Sequence, residues 1–360
     1  MRVGLELTGL ELDRGGAARY AERMRLELAA RPDVELVEIA HPGHARDGAG
    51  GRMLRGLARE LVYMPLRLPR RAASLGLDVL HCATPVAPVR SPVPLVVTVH
   101  DVMTWQHPEW FSRANVIHQR RVLGPALRRA ALVLTSSQYS RDRMVDLVGL
   151  DPERIAVTPL GVDERFTPGD VPADLLSRLG VESPYVMTVG TLQPRKNIES
   201  AIRAFERLAK QGFEHRLAVV GARGWRDEQL LGMVASSPVS DRIVLVGRIT
   251  DEDMIGLYRG ADLFVFPSLY EGFGIPPLEA MACGTPVVSS DRTSLPEVVG
   301  DAGVQVDPTD PAALADAIAE VVGSPERAAD LRRRGLERAG RFTWGRCVEQ
   351  TVSAYRGVAR

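Results

Sequence analysis

The chain has 360 residues, of which 45% are hydrophobic and 25% charged, a composition typical of globular enzymes and a length that suits two domains better than one. Its formal net charge is zero. Aromatic residues make up only 5% and no basic run is interleaved with them, which argues against a nucleic-acid platform of basic and stacking side chains. The three cysteines are widely spaced and odd in number, so we expect neither a disulfide framework nor a metal site, and a reducing cytoplasm fits.

Twelve short apolar runs, rich in Val, Leu and Ile, alternate with patterns of about 10–15 residues that are typical of helices. The first six runs cover residues 2–8, 34–40, 78–83, 94–101, 131–137 and 155–161. The second six cover residues 185–190, 215–222, 242–248, 261–268, 285–290 and 302–308. Because these runs are nearly continuous in apolar residues rather than alternating, they predict strands that are covered on both faces, as in parallel α/β sheets.

This order predicts two Rossmann-like, doubly wound domains, at residues 1–168 and 178–340. The stretch 163–184 contains three prolines and two glycines and is the predicted linker. Residues 341–360 predict a last helix, and its return to the first domain is a hypothesis. Ligands of open α/β sheets bind at the carboxyl ends of the strands, so two facing domains would place both sets of strand ends on one cleft.

The segment between Arg52 and Arg143 contains 14 arginines but only five acidic residues. One interpretation is a set of solvated helix faces. The other is attraction to an anionic partner, either a membrane or a charged acceptor. No apolar run reaches the roughly 18 residues of a membrane span, and Glu6, Glu11 and Asp13 do not fit a signal peptide.

The loop after the seventh predicted strand carries Arg195 and Lys196, and Asn197 is the predicted cap of the helix that follows. Two cations beside a helix N-terminus, at the carboxyl end of a strand, are typical of an anion site, and phosphate is the anion that suits them. The alternative is a pair of surface cations. Lysine occurs only here and at Lys210, which favours a functional role.

The segment 268–288, "SLYEGFGIPPLEAMACGTPVV", joins a predicted strand to a helix. Gly272 and Gly274 would let the backbone approach a ligand. A carboxylate at Glu271 can accept hydrogen bonds from sugar hydroxyls, and Glu279 can accept them from a ribose diol, while the helix N-terminus between them could hold a phosphate. The alternative is a glycine-rich turn with two solvated acids.

The first half offers weaker candidates, each of which is at least as often structural as functional. They are Gly15 and Gly16 before a helix, the strand-end residues His100 and Asp101, His81, and the group Ser136, Ser137 and Arg141. Several chemistries have no sequence signature: the serine-hydrolase elbow, the phosphate-binding P-loop, zinc-spaced Cys and His, and the D-x-D triplet of a metal-held diphosphate.

These motifs together resemble the retaining family 4 glycosyltransferases, which have the two-domain GT-B fold. The resemblance covers nearly the whole chain and is closest to the branch containing bacterial polysaccharide mannosyltransferases. The residues that carry it are 15–20, 97–101, 135–144, 159–168, 189–197, 246–303 and 342–344. Its most specific part is the pair of glutamates separated by seven residues, Glu271 and Glu279.

The resemblance implies a role for each matching position. Arg195 and Lys196 match the pair that binds the donor diphosphate, Glu271 the glutamate near the transferred sugar, and Glu279 the ribose ligand. The remaining donor-binding positions are Gly15, Gly16, Gly190, Thr191, Arg248 near the nucleobase, the loop Gly272, Phe273 and Gly274, and the Leu278 amide. His100 matches a histidine beside the sugar. Of these residues, Glu271, His100, Arg195 and Lys196 form the expected catalytic set.

Two positions depart from the family pattern. Ala17 stands where the first loop often has another glycine, which leaves the approach of that loop to the donor open. Pro277 has no N–H, so one phosphate donor is missing.

The implied activity is retaining transfer of a hexose, with mannose as the leading choice, from a GDP- or UDP-sugar to a glycan, lipid-linked or small-molecule acceptor. The family needs no cofactor and no metal here, because cations and a helix N-terminus stabilise the leaving diphosphate. A front-face reaction is the usual proposal, with Glu271 and His100 positioning and stabilising charge. A nucleotide-sugar epimerase and a non-catalytic nucleotide-sugar-binding subunit are the alternatives. The expected location is cytoplasmic, with peripheral contact to an anionic inner membrane face as a hypothesis.

Overall fold

The computed structural model describes residues 1–8, 16–40, 59–224 and 227–359, with the backbone alone at residues 59–62. Internal contacts divide the chain into two units, one formed by residues 1–160 and 344–360, the other by residues 161–343. The proline-rich stretch 163–184 therefore lies in the second unit, and the last helix lies in the first.

The first unit is a parallel sheet of six described strands in the order β2-β1-β3-β4-β5-β6. The strands are β1 Arg2–Glu6, β2 Glu35–Ile39, β3 Val79–Cys82, β4 Leu95–Thr98, β5 Leu132–Thr135 and β6 Ile155–Val157. All four residues of β3, β4 and β5 are buried, because helices cover both faces of the sheet.

The helices of the first unit follow the strands. They are α1 Gly16–Ala29, α2 Leu68–Ser74, α3 Met103–Gln106, α4 Arg113–His118, α5 Gly124–Arg129 and α6 Gln138–Arg143. Wider π-helical turns at Arg59–Arg67, Gln119–Leu123 and Met144–Val148 extend three of these helices. Short 3₁₀ turns lie at Pro108–Trp110 and Pro152–Arg154.

The second unit repeats the arrangement with six described parallel strands in the order β12-β11-β10-β7-β8-β9. These are β7 Tyr185–Val189, β8 Arg216–Val220, β9 Ile243–Gly247, β10 Leu263–Phe266, β11 Val287–Ser290 and β12 Val304–Val306. All twelve predicted strands are confirmed, each one to four residues shorter than its apolar run. The two parallel sheets confirm the predicted α/β class.

The helices of the second unit are α7 Leu175–Leu179, α8 Ile198–Ala209, α9 Glu228–Ser236, α10 Asp251–Gly260, α11 Ile275–Ala282, α12 Leu295–Val299, α13 Pro311–Gly323 and α14 Pro325–Ala339. Its 3₁₀ turns lie at Pro194–Lys196, Ser240–Arg242 and Gly300–Ala302. The helix α15, Trp344–Arg356, packs in the first unit, where Tyr355 and Cys347 are buried. No helix of the described residues is long and apolar enough to cross a bilayer.

Candidate functional site

The sheet order of the second unit brings the two strongest sequence motifs together. Strands β7 and β10 are neighbours, with Val186 paired to Leu263, so the loops that follow them leave the same edge of the sheet. The backbone N–H of Leu269 donates to the Arg195 carbonyl over 2.8 Å, and Ser268 Oγ lies 3.2 Å from the same carbonyl. The two motifs are therefore parts of one site.

Glu271 accepts three hydrogen bonds on one carboxylate oxygen, Oε1. The donors are Lys196 Nζ at 2.5 Å, Ser268 Oγ at 2.6 Å and Arg195 Nη1 at 3.3 Å. The side chains of Lys196 and Glu271 are each only 11% exposed. Lys196 is therefore not the surface cation, and Glu271 not the solvated acid, of the alternative interpretations of these two motifs. The other oxygen, Oε2, accepts no hydrogen bond from a described residue.

This cluster keeps Glu271 ionised in a buried site. Burial is the largest influence on its pKa and raises it, but the charges of Lys196 and Arg195 and the hydrogen bonds from Lys196 and Ser268 outweigh burial, so the pKa lies below its ordinary value. Burial also lowers the pKa of Lys196, and the nearby charge of Arg195 lowers it further, against the opposing effect of Glu271. Two cations around one carboxylate leave a net positive charge, which a bound anion would neutralise.

Lys196 is held by close packing. Its ammonium lies 5.1 Å from the centre of the Phe266 ring, a cation–π distance. A Cβ added at Gly190 would stand 3.0 Å from Lys196 Cγ, so a side chain at Gly190 would push the lysine stem aside. Glycine at position 190 therefore leaves room for Lys196.

Asn197 stands before α8 as predicted, but the predicted side-chain cap is wrong. Its backbone is left-handed, at φ 52°, and its side chain accepts no backbone N–H of the helix. Instead Nδ2 donates to the carbonyls of Pro267 at 3.0 Å and Pro308 at 2.6 Å, while Oδ1 accepts from the Ser200 hydroxyl. The asparagine thus ties the Lys196 loop to the loop after β10 rather than capping the helix.

The glycine-rich loop turns sharply into α11. Gly274 has φ 116°, a backbone conformation that favours glycine, and a Cβ there would lie 2.6 Å from Leu295 Cδ2. In a helix that begins at Ile275, the first three amides have no carbonyl partner within the helix, and two of these residues are prolines. The Leu278 amide is the first that reaches a helix carbonyl, whereas the Ile275 N–H has no carbonyl partner within the helix.

Two residues that the sequence analysis missed hold this loop. Thr293 Oγ1 accepts from the Glu271 N–H at 3.1 Å, and the Ser294 hydroxyl meets the carbonyls of Glu271 at 2.9 Å and Phe273 at 2.7 Å. The Phe273 ring is buried and packs edge-on against Phe342. A Thr-Ser pair before a short helix is an ordinary capping pattern, so no local signal marked these residues.

The remaining donor-binding candidates of the second unit differ in burial. Glu279 is only 6% exposed, and its Oε2 accepts from the Tyr258 hydroxyl at 3.3 Å, so the solvated-acid interpretation fails here too. Arg248, just after β9, and Thr191, just after β7, are exposed. Both follow strands of the same sheet.

In the first unit, His100 follows β4 and packs its ring edge-on against Tyr20 of α1, with the ring centres 4.7 Å apart. Both ring nitrogens are buried, and neither has a hydrogen-bond partner among the described residues. Burial lowers the pKa of His100 to about 4. Gly16 is the first residue of α1, and a Cβ there would meet nothing within 4 Å. Gly15 lies outside the described residues.

The other candidates of the first unit have structural contacts. His81 is fully buried and bonds Thr98 Oγ1 at 2.8 Å and the Tyr355 hydroxyl at 2.6 Å. Ser137 caps α6 by accepting from the Ser140 N–H, and Arg141 donates to the Pro152 carbonyl. Within the described parts of the chain, no group of three or more His, Cys, Asp or Glu residues could hold a metal ion.

Two family models match adjacent parts of the chain. The model "Glycosyl transferases group 1" matches residues 177–338, and "Glycosyltransferase Family 4" matches residues 14–166. The O-antigen chain mannosyltransferase B of Escherichia coli is 34% identical, over 98% of this chain and 96% of its own length. A D-inositol 3-phosphate glycosyltransferase of Salinispora tropica is 32% identical, over 90% of this chain and 74% of its own length.

Solved structures of similar fold cover nearly the whole chain. Sucrose-phosphate synthase from Thermosynechococcus elongatus has a TM-score of 0.80 at 21% identity, with 99% of this chain and 98% of that chain covered. Anabaena Alr3699/HepE in complex with UDP-glucose has a TM-score of 0.75 at 22% identity, with 98% and 100% covered. At these identities the likeness concerns the fold.

Proposed function

Because the chain belongs to the family 4 glycosyltransferases and has their GT-B fold, we propose that it is a retaining, metal-independent mannosyltransferase. It takes mannose from a nucleoside diphosphate sugar, GDP-mannose being the first donor to test, and transfers it to a glycan or lipid-linked acceptor. The observation that carries this proposal is the buried cluster of Arg195, Lys196 and Glu271.

The cluster suits a leaving diphosphate. Arg195 and Lys196 share one carboxylate oxygen, and the Arg195 side chain, which is 25% exposed, keeps further N–H groups for a phosphate. Charge that develops on the diphosphate during cleavage of the sugar bond meets these cations in a site of low dielectric, where preorganised electrostatics is worth most. The Ile275 N–H at the start of α11 adds a neutral donor.

We assign Glu271 a positioning role rather than that of a general acid, and the front-face reaction proposed for the family needs no protein nucleophile. A general acid needs a raised pKa, whereas the pKa of Glu271 is lowered and its Oε1 accepts from three donors. Oε2 remains to accept from a sugar hydroxyl. This division of the carboxylate supports a front-face reaction in which the donor phosphate receives the acceptor proton.

The other proposed contacts follow the family pattern. Glu279 binds the ribose diol, and Arg248 lies at the nucleobase. Gly190 and Thr191 border the diphosphate, and the amides of residues 272–274 meet the sugar. In the first unit, His100 and the loop of Gly15 and Gly16 contribute to donor binding. The Leu278 amide, as the resemblance implies, meets the phosphate beside the Ile275 N–H.

The proposed sugar and the proposed acceptor are inferred from the similar proteins. The O-antigen mannosyltransferase similarity spans both proteins almost completely, which favours mannose and a glycan acceptor. The similarity to a D-inositol 3-phosphate glycosyltransferase favours a small phosphorylated acceptor as the second candidate. A panel of mannosylated glycans and inositol phosphates, offered with the same donor, separates the two.

A matched pair of lysine variants tests the site. Lys196→Ala should lose most donor binding and transfer, whereas Lys210→Ala should change neither, because Lys210 is the only other lysine and is exposed. Nucleotide binding is measured by calorimetry and transfer by mass spectrometry of the product. Equal donor binding by Lys196→Ala and the wild type would refute the assignment.

Four further assays test the finer claims. The anomeric configuration of the product, read by NMR, should match that of the donor, and an inverted anomer would exclude retention. Activity should survive EDTA. Donor incubated without acceptor should not give an epimerised sugar, which would indicate the epimerase alternative. Nucleotide-sugar binding without turnover over the acceptor panel would indicate a non-catalytic subunit.

The proposed peripheral membrane contact rests on the arginine-rich segment 52–143. Co-sedimentation with vesicles of anionic lipid should be strong at low salt and weak at high salt, because exposed charges are screened. Absence of binding at low salt would leave this segment as solvated helix faces.

A further inference from the structure

The segment just before α12 braces the loop that carries Glu271. Thr293 Oγ1 accepts from the Glu271 N–H at 3.1 Å. The Ser294 hydroxyl, which is fully buried, is shared between the carbonyls of Glu271 at 2.9 Å and Phe273 at 2.7 Å. Two adjacent side chains thus fix both peptide groups of Glu271 and the carbonyl two residues later.

Thr293 adopts a backbone conformation that its side chain disfavours. Its φ is +59°, in the left-handed region that a β-branched residue rarely enters. Among the described residues, the non-glycine residues with positive φ are Asn197 and Thr293, and both adjoin the Arg195–Lys196–Glu271 cluster. Glycine would adopt this backbone without strain but has no hydroxyl. Strained residues of this kind cluster at functional sites.

We propose that Thr293 and Ser294 are positioning residues for the donor sugar, an inference that rests on the proposed function. Their hydrogen bonds to the backbone of residues 271–273, here called the brace, set the direction of these peptide groups. The peptide groups in turn set where Glu271 Oε2 and the loop amides meet the sugar hydroxyls. In the described part of the chain, neither Thr293 nor Ser294 makes a hydrogen bond to Arg195 or Lys196. The two residues therefore affect binding of the sugar but not of the diphosphate.

The side chain and the backbone of Glu271 are held by different residues. Lys196 and Arg195 hold the Glu271 side chain through Oε1, while Thr293 and Ser294 hold its backbone from the other end. Because Glu271 is restrained both at its backbone and at Oε1, its side chain cannot rotate to compensate for a shift of the loop. Loss of a brace hydrogen bond therefore displaces Oε2 relative to the sugar. A displacement of about 1 Å can cost about a hundredfold in rate.

Three substitutions of Thr293 separate positioning from stability. Thr293→Gly removes the strain and the hydroxyl, Thr293→Val removes the hydroxyl alone, and Thr293→Ser keeps the hydroxyl. We expect Thr293→Gly to unfold at the same or a higher temperature than the wild type, yet to bind the nucleotide sugar about tenfold more weakly and to transfer it more slowly. Thr293→Val should bind as poorly, and Thr293→Ser should bind within about threefold of the wild type.

Binding of two ligands gives the decisive measurement. Calorimetry compares GDP-mannose with GDP, or UDP-glucose with UDP if the wild type prefers uridine. Thr293→Gly should weaken binding of the sugar nucleotide and leave the nucleoside diphosphate unchanged, whereas Lys196→Ala should weaken both. Equal loss for both ligands, or full sugar binding by Thr293→Gly, would overturn the proposal.

The binding readout separates this inference from the proposed function. A wild type that binds GDP-mannose but transfers nothing over the acceptor panel refutes the transferase, while the Thr293 variants still decide the brace. A wild type that binds neither sugar nucleotide overturns both.

Discussion

Lowering the pH from 7 to 5 should weaken the first unit, and the buried side chain His81 contributes a separable part of this loss. Its ring bonds Thr98 on one nitrogen and Tyr355 on the other, and it is fully buried. Burial first, and the nearby His100 second, lower the pKa of His81 to about 3 from an ordinary value of 6.5. The folded protein therefore keeps this ring neutral at a pH where the unfolded chain protonates it.

The sign and size of the effect follow from linkage. Because the folded pKa lies below the unfolded one, stability is full above about pH 6.5 and is lost as the pH falls toward 3. Between pH 7 and pH 5, protonation of the unfolded chain at this one ring costs about 2 kcal/mol. His100, whose pKa is lowered to about 4, adds a loss of the same sign.

The assay compares the wild type with His81→Gln, which cannot titrate in this range. Urea unfolding is followed by tryptophan fluorescence, since Trp105, Trp110 and Trp344 all lie in the first unit. The difference in unfolding free energy between the two proteins should be about 2 kcal/mol smaller at pH 5 than at pH 7, because every other titrating group is common to both. An unchanged difference, or an NMR titration of His81 near pH 6.5, would refute the reasoning.

Three other outcomes are expected. Tyr355→Phe leaves a buried His81 nitrogen unbonded and should lower the unfolding free energy by about 1–3 kcal/mol in urea titrations; no change would mean that the bond contributes nothing. Gly274→Ala should destabilise by about 1 kcal/mol or more through its positive φ and its contact with Leu295, whereas Gly232→Ala, in a helix with open space around it, should stabilise slightly. Nucleoside diphosphate binding should weaken at alkaline pH, because the pKa of Lys196 is lowered and the neutral amine attracts no phosphate; binding that stays constant up to pH 10 would contradict this role.

The local pattern of residues was sufficient to predict the strands and the two candidate motifs. Strands covered on both faces need continuous apolar runs, so runs such as 261–268 predicted β10 directly. The position of Lys196 just after a strand, and of Glu271 just after another, also follows from short-range pattern, since strand ends are local features. The cap assigned to Asn197 failed because its left-handed backbone and its two carbonyl partners depend on residues 70 and 111 positions away.

Sequence alone thus determined the α/β class, the strand positions and the residue types of the donor site, since burial and backbone preference are encoded locally. Only the tertiary structure decided that β7 and β10 are neighbours, so that Lys196 meets Glu271 across 75 residues of chain. The same holds for the Thr293 brace and for the Tyr355 bond to His81, which spans 274 residues. Such partners depend on strand order and on which loops reach one sheet edge, and no local propensity specifies either.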